Sequence, residues 1–355
     1  MSFIKNTWYA AMWSQNLPED GMVHTTVIGE LLVLYRDMNG LPVVLQDRCP
    51  HRFAPLHLGK LCAQKSRIQC GYHGLEFDNS GLCVHNPHSE TIPSMAKVRA
   101  FKAVERHSLI WVWMGDSEPL ENAIPDFSLF SEVGTNRISR RESIELEVNY
   151  QLMTDNLLDL SHVSFLHDGV LGHAGMVRGE ITVEQDGSTL HVKRSSPNVA
   201  PPGMFDLLYK RNGLPVDFWA DMRWNAPACM LNNAGVCQPG SDRSAGISLL
   251  GAHILTPISE FRTMYHFAAA RFDENVRRNA DDERFIFEQV SNLRRYAFEE
   301  QDEPMVLAQQ TAQIAAGGLG VLKPVLLNID AGPMRARRLL EELRQIADSS
   351  ESEDA

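Results

Sequence analysis

Cysteine is scarce: six in 355 residues are too few for a disulfide scaffold, so any cysteine cluster is to be read as metal-binding or catalytic. Basic runs are missing as well. Lys+Arg number 33 against 45 Asp+Glu, a net charge of −12, and no block of five or six basic residues marks a nucleic-acid footprint. No stretch reaches the ~18 apolar residues needed to cross a bilayer, and Met1 to Asn16 lacks an apolar core with a small-residue cleavage site. No G-x-G-x-x-G opens a helix after a strand, so a flavin or nicotinamide fingerprint is absent. These absences predict a cytoplasmic protein with no nucleic-acid or membrane partner, whose reducing equivalents would come from a separate protein.

What is present is ordinary for a folded chain, 44% hydrophobic and 22% charged, and the length suggests two domains. Two β-rich runs, Leu31 to Tyr35 and Pro42 to Gln46, flank Asn39-Gly40, a strong hairpin signal. Pro119 and Pro125 follow the apolar run Leu109 to Trp113 and predict a boundary near 120. Alternation at Ile144, Leu146, Val148 and Tyr150, and a second hairpin signal at Asp186-Gly187, start the second part in strands. Helical spacing covers Asp281 to Glu300 and Met334 to Ala347, and Ser349 to Ala355 reads as a short disordered acidic tail. The expected division is 1–120, 121–348 and the tail 349–355.

Two short arms carry the first chemistry. Cys49-Pro50-His51 and Cys70-Gly71-Tyr72-His73 each offer one thiolate and one imidazole. A zinc site usually pairs Cys with Cys and His with His, whereas a Rieske 2Fe-2S centre splits its ligands in this mixed way, two His replacing two Cys on one iron. Cys62, Cys83, Cys229, Cys237, His57, His85 and His88 complete no ligand set and read as structural or surface residues.

The second concentration runs from Asn149 to His167. His162 and His167 are five apart, about 140° around a regular helix, and cannot chelate one ion side by side without distorted backbone. That spacing argues against a zincin-like pair and suits a 2-His-1-carboxylate site with open iron positions. Asp159, three residues before His162, shares its helix face and can accept a hydrogen bond from the imidazole or lie on a path to it. The missing carboxylate would come from Glu299, Glu300, Asp302 or Glu303; spacing alone does not choose among them.

These residues carry a family resemblance. C-P-H-R-x-A-P-L with C-x-Y-H-G-L-x-F resembles the cluster loops of Rieske oxygenases, and D-N-L-L-D-L-S-H-V-S-F-L-H resembles their mononuclear-iron motif. Length and the opening Asn6-Thr-Trp-Tyr-Ala are most similar to the vanillate O-demethylase and dicamba monooxygenase branch. The resemblance implies an α+β chain, with an N-terminal all-β Rieske domain and a C-terminal helix-grip domain of antiparallel sheet and long helix. It implies one 2Fe-2S cluster, with Cys49 and Cys70 on one iron and His51 and His73 on the other. It further implies one mononuclear Fe(II) on His162, His167 and Asp302, although Gln301 stands where the family often has an acid and Pro304 follows closely.

Asn156 and Asp159 are the implied catalytic residues, Asp159 bridging electron flow between subunits of a homotrimer. Asn232 and His253 are similar to pocket residues of the branch, while Leu293 stands where a related enzyme has an aromatic. The implied reaction is oxidative O-demethylation of a methoxylated aromatic acid to a phenol and formaldehyde. It would use O2 and an NAD(P)H-dependent reductase, with or without a ferredoxin. Ring dihydroxylation by the same metals, and a Rieske electron carrier without oxygenase activity, are the competing readings.

Overall fold

The computed structural model describes residues 3–132 and 137–353. The backbone divides into two compact units, one formed by Phe3–Ser128 with Thr256–Ser259, the other by Leu129–Leu255 with the chain from Glu260 onward.

The first unit holds three antiparallel sheets. β1 (Trp8–Trp13), β11 (Leu109–Trp113) and β10 (Ala103–Arg106) form one; β2 (Met22–Val27), β3 (Glu30–Arg36), β4 (Pro42–Gln46) and β9 (Ala100–Phe101) form another; β5 (Lys60–Cys62), β6 (Arg67–Gln69), β7 (Glu76–Asp78) and β8 (Cys83–His85) form the third. The Asn39-Gly40 turn closes β3 on β4 as its sequence predicts. Gly40 takes a φ of +78°, and the Asp37 carboxylate accepts from the backbone N–H of Asn39 and Leu41. The proline-bearing segment after residue 116 stays with this unit to Ser128, beyond the expected division at 120. There Phe127 stacks on Trp111 and the Trp8 indole donates to the Leu120 carbonyl.

The second unit is built on a seven-stranded antiparallel sheet in the order β12 (Glu142–Leu146), β18 (Arg262–Phe272), β17 (Ile247–Ser259), β16 (Cys229–Cys237), β15 (Val216–Asn225), β14 (Thr189–Val199), β13 (Glu180–Asp186). Residues directly opposite in an antiparallel ladder share a face, so the register lays out rows across it. Arg194, Ala220, Ala234 and Leu249 form one row, Val192, Met222, Asn232 and Gly251 the next, and Leu190, Trp224, Met230 and His253 the third. Ala220, Ala234 and Gly251 leave this face hollow at its middle.

The short helices α1 (Leu129–Glu132), α2 (Tyr150–Leu158) and α3 (Gly203–Leu208) precede the longer α4 (Ala280–Tyr296), α5 (Glu303–Ala315) and α6 (Ala331–Glu353). The helix expected over 281–300 ends sooner as an α-helix. At Ala297–Asp302 it widens into a π turn, and the chain then continues as α5. Pro304 does not interrupt it, because it lies in the first turn of α5, where a missing N–H is harmless. The expected tail is corrected too: α6 runs on to Glu353, since no Gly or Pro stops it and Glu favours helix. Asp354 and Ala355 lie outside the described residues.

Candidate active site and metal centres

The Cys-x-His and Cys-x-x-His arms fold into loops of the same design. In each, the cysteine N–H donates to the carbonyl five residues on, Ala54 or Leu75, and its carbonyl accepts from the N–H four residues on, Phe53 or Gly74. Both fourth residues have positive φ, +60° at Phe53 and +76° at Gly74, which closes the loops tightly. The Cys49 and Cys70 side chains are 2% exposed and join a core with Val33, Leu45, Ile68 and Phe77. Burial pushes the Cys49 thiol up to about 11, the Cys70 thiol adding to it. His51 and His73 face outward with ring centroids 4.4 Å apart. Two buried sulfurs beneath two outer imidazoles fit the mixed ligand set of a Rieske cluster, which Cys49, Cys70, His51 and His73 would hold. His88, set aside as a surface residue, meets this edge: its Nε2 lies 3.0 Å from the His73 carbonyl.

Around the second motif, Asn149 caps α2 by accepting from the Gln151 N–H at 2.8 Å, and the helix ends at Leu158. His162 opens a single tight turn to Ser164 and Phe165 leaves helical geometry, so the backbone between the two histidines is irregular, as their spacing demands. Arg194 braces this segment: its guanidinium donates to the Leu160 carbonyl at 2.5 Å, to Ser164 Oγ at 2.8 Å and to the Met176 carbonyl.

The π turn brings the third donor. Asp302 Oδ1 lies 3.2 Å from His167 Nε2 and 3.6 Å from His162 Nε2, and the two Nε2 atoms are 3.2 Å apart. Ligands about 2.1 Å from one metal and about 90° apart would be about 3 Å from each other, so the three atoms fit one side of a single ion. Among the described residues these ligand atoms all lie within 4.8 Å of one another. Burial lowers the pKa of His162, with Asp302 opposing. At His167 burial also pulls down, but the Asp302 and Gln301 hydrogen bonds prevail and raise it.

Two placements differ from the sequence reading. His162 Nδ1 donates to the backbone carbonyl of Asp159 at 2.5 Å, not to its carboxylate, which accepts from Ser161 N at 2.9 Å and Ser161 Oγ at 2.5 Å. The helix that would have put both side chains on one face has already ended. And Gln301, noted only as a departure from an acidic pair, accepts from His167 Nδ1 at 2.8 Å; the signal for it was its position beside Asp302. Asn156 donates to Asp302 Oδ1 at 3.0 Å.

A largely apolar cavity adjoins this site, bounded by Leu160 and Val163 on either side of His162, by Phe298 from the π turn, and by the hollow sheet face with Asn232 and His253. Asn232 Oδ1 and His253 Nε2 are buried without partners. The Tyr265 hydroxyl lies 2.5 Å from His253 Nδ1, and burial, with Arg294 adding, holds that imidazole well below its ordinary pKa and so neutral.

A catalytic domain with a three-donor metal site, and a second domain with paired loops that each carry one Cys and one His, define a Rieske-type non-heme iron oxygenase. The family comparisons agree: residues 7–98 match the Rieske [2Fe-2S] domain and 146–345 the vanillate O-demethylase oxygenase C-terminal domain. The chain belongs to this family and carries one 2Fe-2S cluster and one mononuclear iron. It is 34% identical to the oxygenase component of chloroacetanilide N-alkylformylase from Rhizorhabdus wittichii, over 96% of this chain and 95% of that one. It is 33% identical to the dicamba O-demethylase oxygenase component from Stenotrophomonas maltophilia, over 98% and 99%. The crystal structure of dicamba monooxygenase bound to 3,6-dichlorosalicylic acid superposes with a TM-score of 0.89 at 32% identity, covering 98% of this chain and 99% of that one. Among the described residues no helix is long and apolar enough to cross a membrane.

Proposed function

We propose that this chain is the terminal oxygenase component of a monooxygenase system that removes the methyl group of a methoxylated aromatic acid. The observation that carries the reading is the His162, His167, Asp302 cluster, whose chain neighbours Leu160, Val163 and Phe298 line a largely apolar cavity furnished with a few polar atoms, the form expected of a small aromatic's site. The balanced reaction is Ar–OCH3 + O2 + 2e− + 2H+ → Ar–OH + HCHO + H2O. Bound iron would activate oxygen, and the cluster would feed it one electron at a time.

The protein's own share is orientation and exclusion of water. Asn156 and Gln301 hold Asp302 and His167 in ligand geometry; Phe298 and the Ala220, Ala234 floor shape the ring's berth; Asn232 and His253 offer their unpartnered atoms to polar groups of the substrate. Cys49, Cys70, His51 and His73 hold the cluster in this reading. Its electrons come from a separate reductase, consistent with relatives named as oxygenase components. Asp159, whose carbonyl touches His162, is the entry point for electrons from a neighbouring subunit of a homotrimer.

The test is oxygen uptake by the reconstituted system across methoxylated and unmethoxylated aromatic acids, with formaldehyde assayed. Formaldehyde matching oxygen consumed, for methoxylated acids only, is expected. A dihydrodiol without formaldehyde would replace this reading with ring dihydroxylation.

A further inference from the structure

We infer that Arg294 is the residue that reads the acid group of the substrate, which makes the cavity selective for an aromatic carboxylate over a neutral aromatic of the same shape. This deepens the proposed function and rests on the cavity being the substrate site.

The argument starts from two arginines in the cavity wall. Arg194 gives both of its Nη groups to backbone carbonyls and Ser164, leaving only its Nε without a partner, and its role is to brace the histidine segment. Arg294 is 6% exposed and is bonded differently. Its Nη2 donates to the Ala268 carbonyl at 3.3 Å, its Nε has no partner, and among the described residues no carboxylate forms an ion pair with it. Glu142, the acid that most influences it, is paired to Arg295. A guanidinium keeps its charge even when buried, and a buried charge without a counterion is costly. Phe298 and Phe267 offset part of that cost by lying beneath it, with ring centroids 5.5 and 6.0 Å from the guanidinium carbon. The remainder is what an anionic ligand would supply, since the guanidinium fork matches a planar carboxylate.

The surroundings keep the fork accessible. A Cβ on Gly251 would come within 2.8 Å of Arg294 Nη1 and 3.0 Å of His253 Nε2, so the bare glycine leaves open the space that both nitrogens face. Asn232 is its partner across the ladder. Arg294, Phe298 and Asp302 follow at four-residue steps along α4 and the π turn that continues it, which places the backbone of the arginine roughly two helical turns from that of the metal ligand. In this arrangement the ring would lie with its acid group toward Arg294 and its methoxy group toward the metal site. Neutral His253 and Asn232 then supply hydrogen bonds, and the charge comes from Arg294.

The experiment measures calorimetric binding, without oxygen, of the 2-, 3- and 4-methoxybenzoates and their matched methoxybenzamides to the iron-loaded holoenzyme. For the tightest isomer the acid should bind about 50-fold more tightly than its amide, the scale of a desolvated charge-assisted pair. In Arg294→Gln the ratio should fall below about threefold, with the amide's own affinity and both metal contents unchanged, and Arg294→Lys should lie between because it keeps the charge but not the fork. An amide bound as tightly as its acid by the wild type, or an acid preference surviving in Arg294→Gln, overturns the inference. If Arg294→Gln does not fold, the wild-type ratio and Arg294→Lys decide it. Formaldehyde is assayed in parallel: acid preference without formaldehyde leaves Arg294 in its role and removes the O-demethylation reading, while formaldehyde without acid preference does the reverse.

Discussion

The Gln301 side-chain carbonyl accepts from Nδ1 of His167 across 2.8 Å, which fixes the imidazole tautomer and turns Nε2 toward His162 and Asp302. Such outer partners set a ligand's orientation and basicity, and their loss typically costs about 10–100-fold in metal affinity. Gln301→Leu should weaken iron binding by about that factor while Gln301→Glu retains it. Iron titration of the apo mononuclear site, with cluster absorbance as internal control, gives the answer.

Asp302 is 1% exposed and bonded to Asn156, so it lies within the candidate metal cluster and not at the surface. Asp302→Ala should lose the mononuclear iron and all oxygenase turnover, leaving the visible spectrum of the cluster intact. Iron analysis beside that spectrum checks it; unchanged iron content would point to Glu299 or Glu303 as the ligand.

His51 lies at the exposed edge of its pair while Cys49 is buried. His51→Cys should therefore keep a cluster but lower its reduction potential, because thiolate replaces neutral imidazole. Cys49→Ala should lose the cluster altogether. Redox titration of the first variant and absorbance of the second are the measurements.

Asp159→Asn is nearly isosteric and can still accept from Ser161. Both metals should stay bound, yet cluster reoxidation in the presence of substrate and oxygen should slow by about 10–100-fold if the carboxylate carries electron transfer. Stopped-flow absorbance of the reduced enzyme would reveal it; an unaltered rate removes the role.

Gly251→Val would place side-chain carbons where Arg294 Nη1 and His253 Nε2 now meet open space. Added volume here should narrow the cavity and raise KM with the iron content unchanged, beside a loss of fold stability of about 1–3 kcal/mol from overpacking. Steady-state kinetics alongside metal analysis separates a narrowed cavity from a damaged metal site.

Much of the site was legible because its donors are neighbours in the chain. Cys49 with His51, Cys70 with His73, and His162 with His167 sit in short loops whose spacing alone states which donors can meet, and the helix arithmetic already required irregular backbone between the last pair. The Asp159 hydrogen bond was misassigned for the same reason that spacing is useful: three-residue proximity implies a shared face only while a helix lasts, and α2 stops at Leu158. The extension of α6 to Glu353 was missed because an acidic composition favours solvent without forbidding helix.

The sequence by itself determined the donor chemistry, the two-metal character and the strand-built start of the first domain, since these depend on residue type and local period, whereas the second unit opens on α1 and the alternation read through Tyr150 leaves its strand at Leu146. The tertiary structure decided the rest. A π turn aims Asp302 and Gln301 at histidines more than a hundred residues earlier. Strand register aligns Ala220, Ala234 and Gly251 into a hollow, and at its edge one buried arginine donates to a single carbonyl while another donates to three acceptors. Each of these rests on which strand lies opposite which and on where a helix crosses the sheet, and no local spacing carries that information.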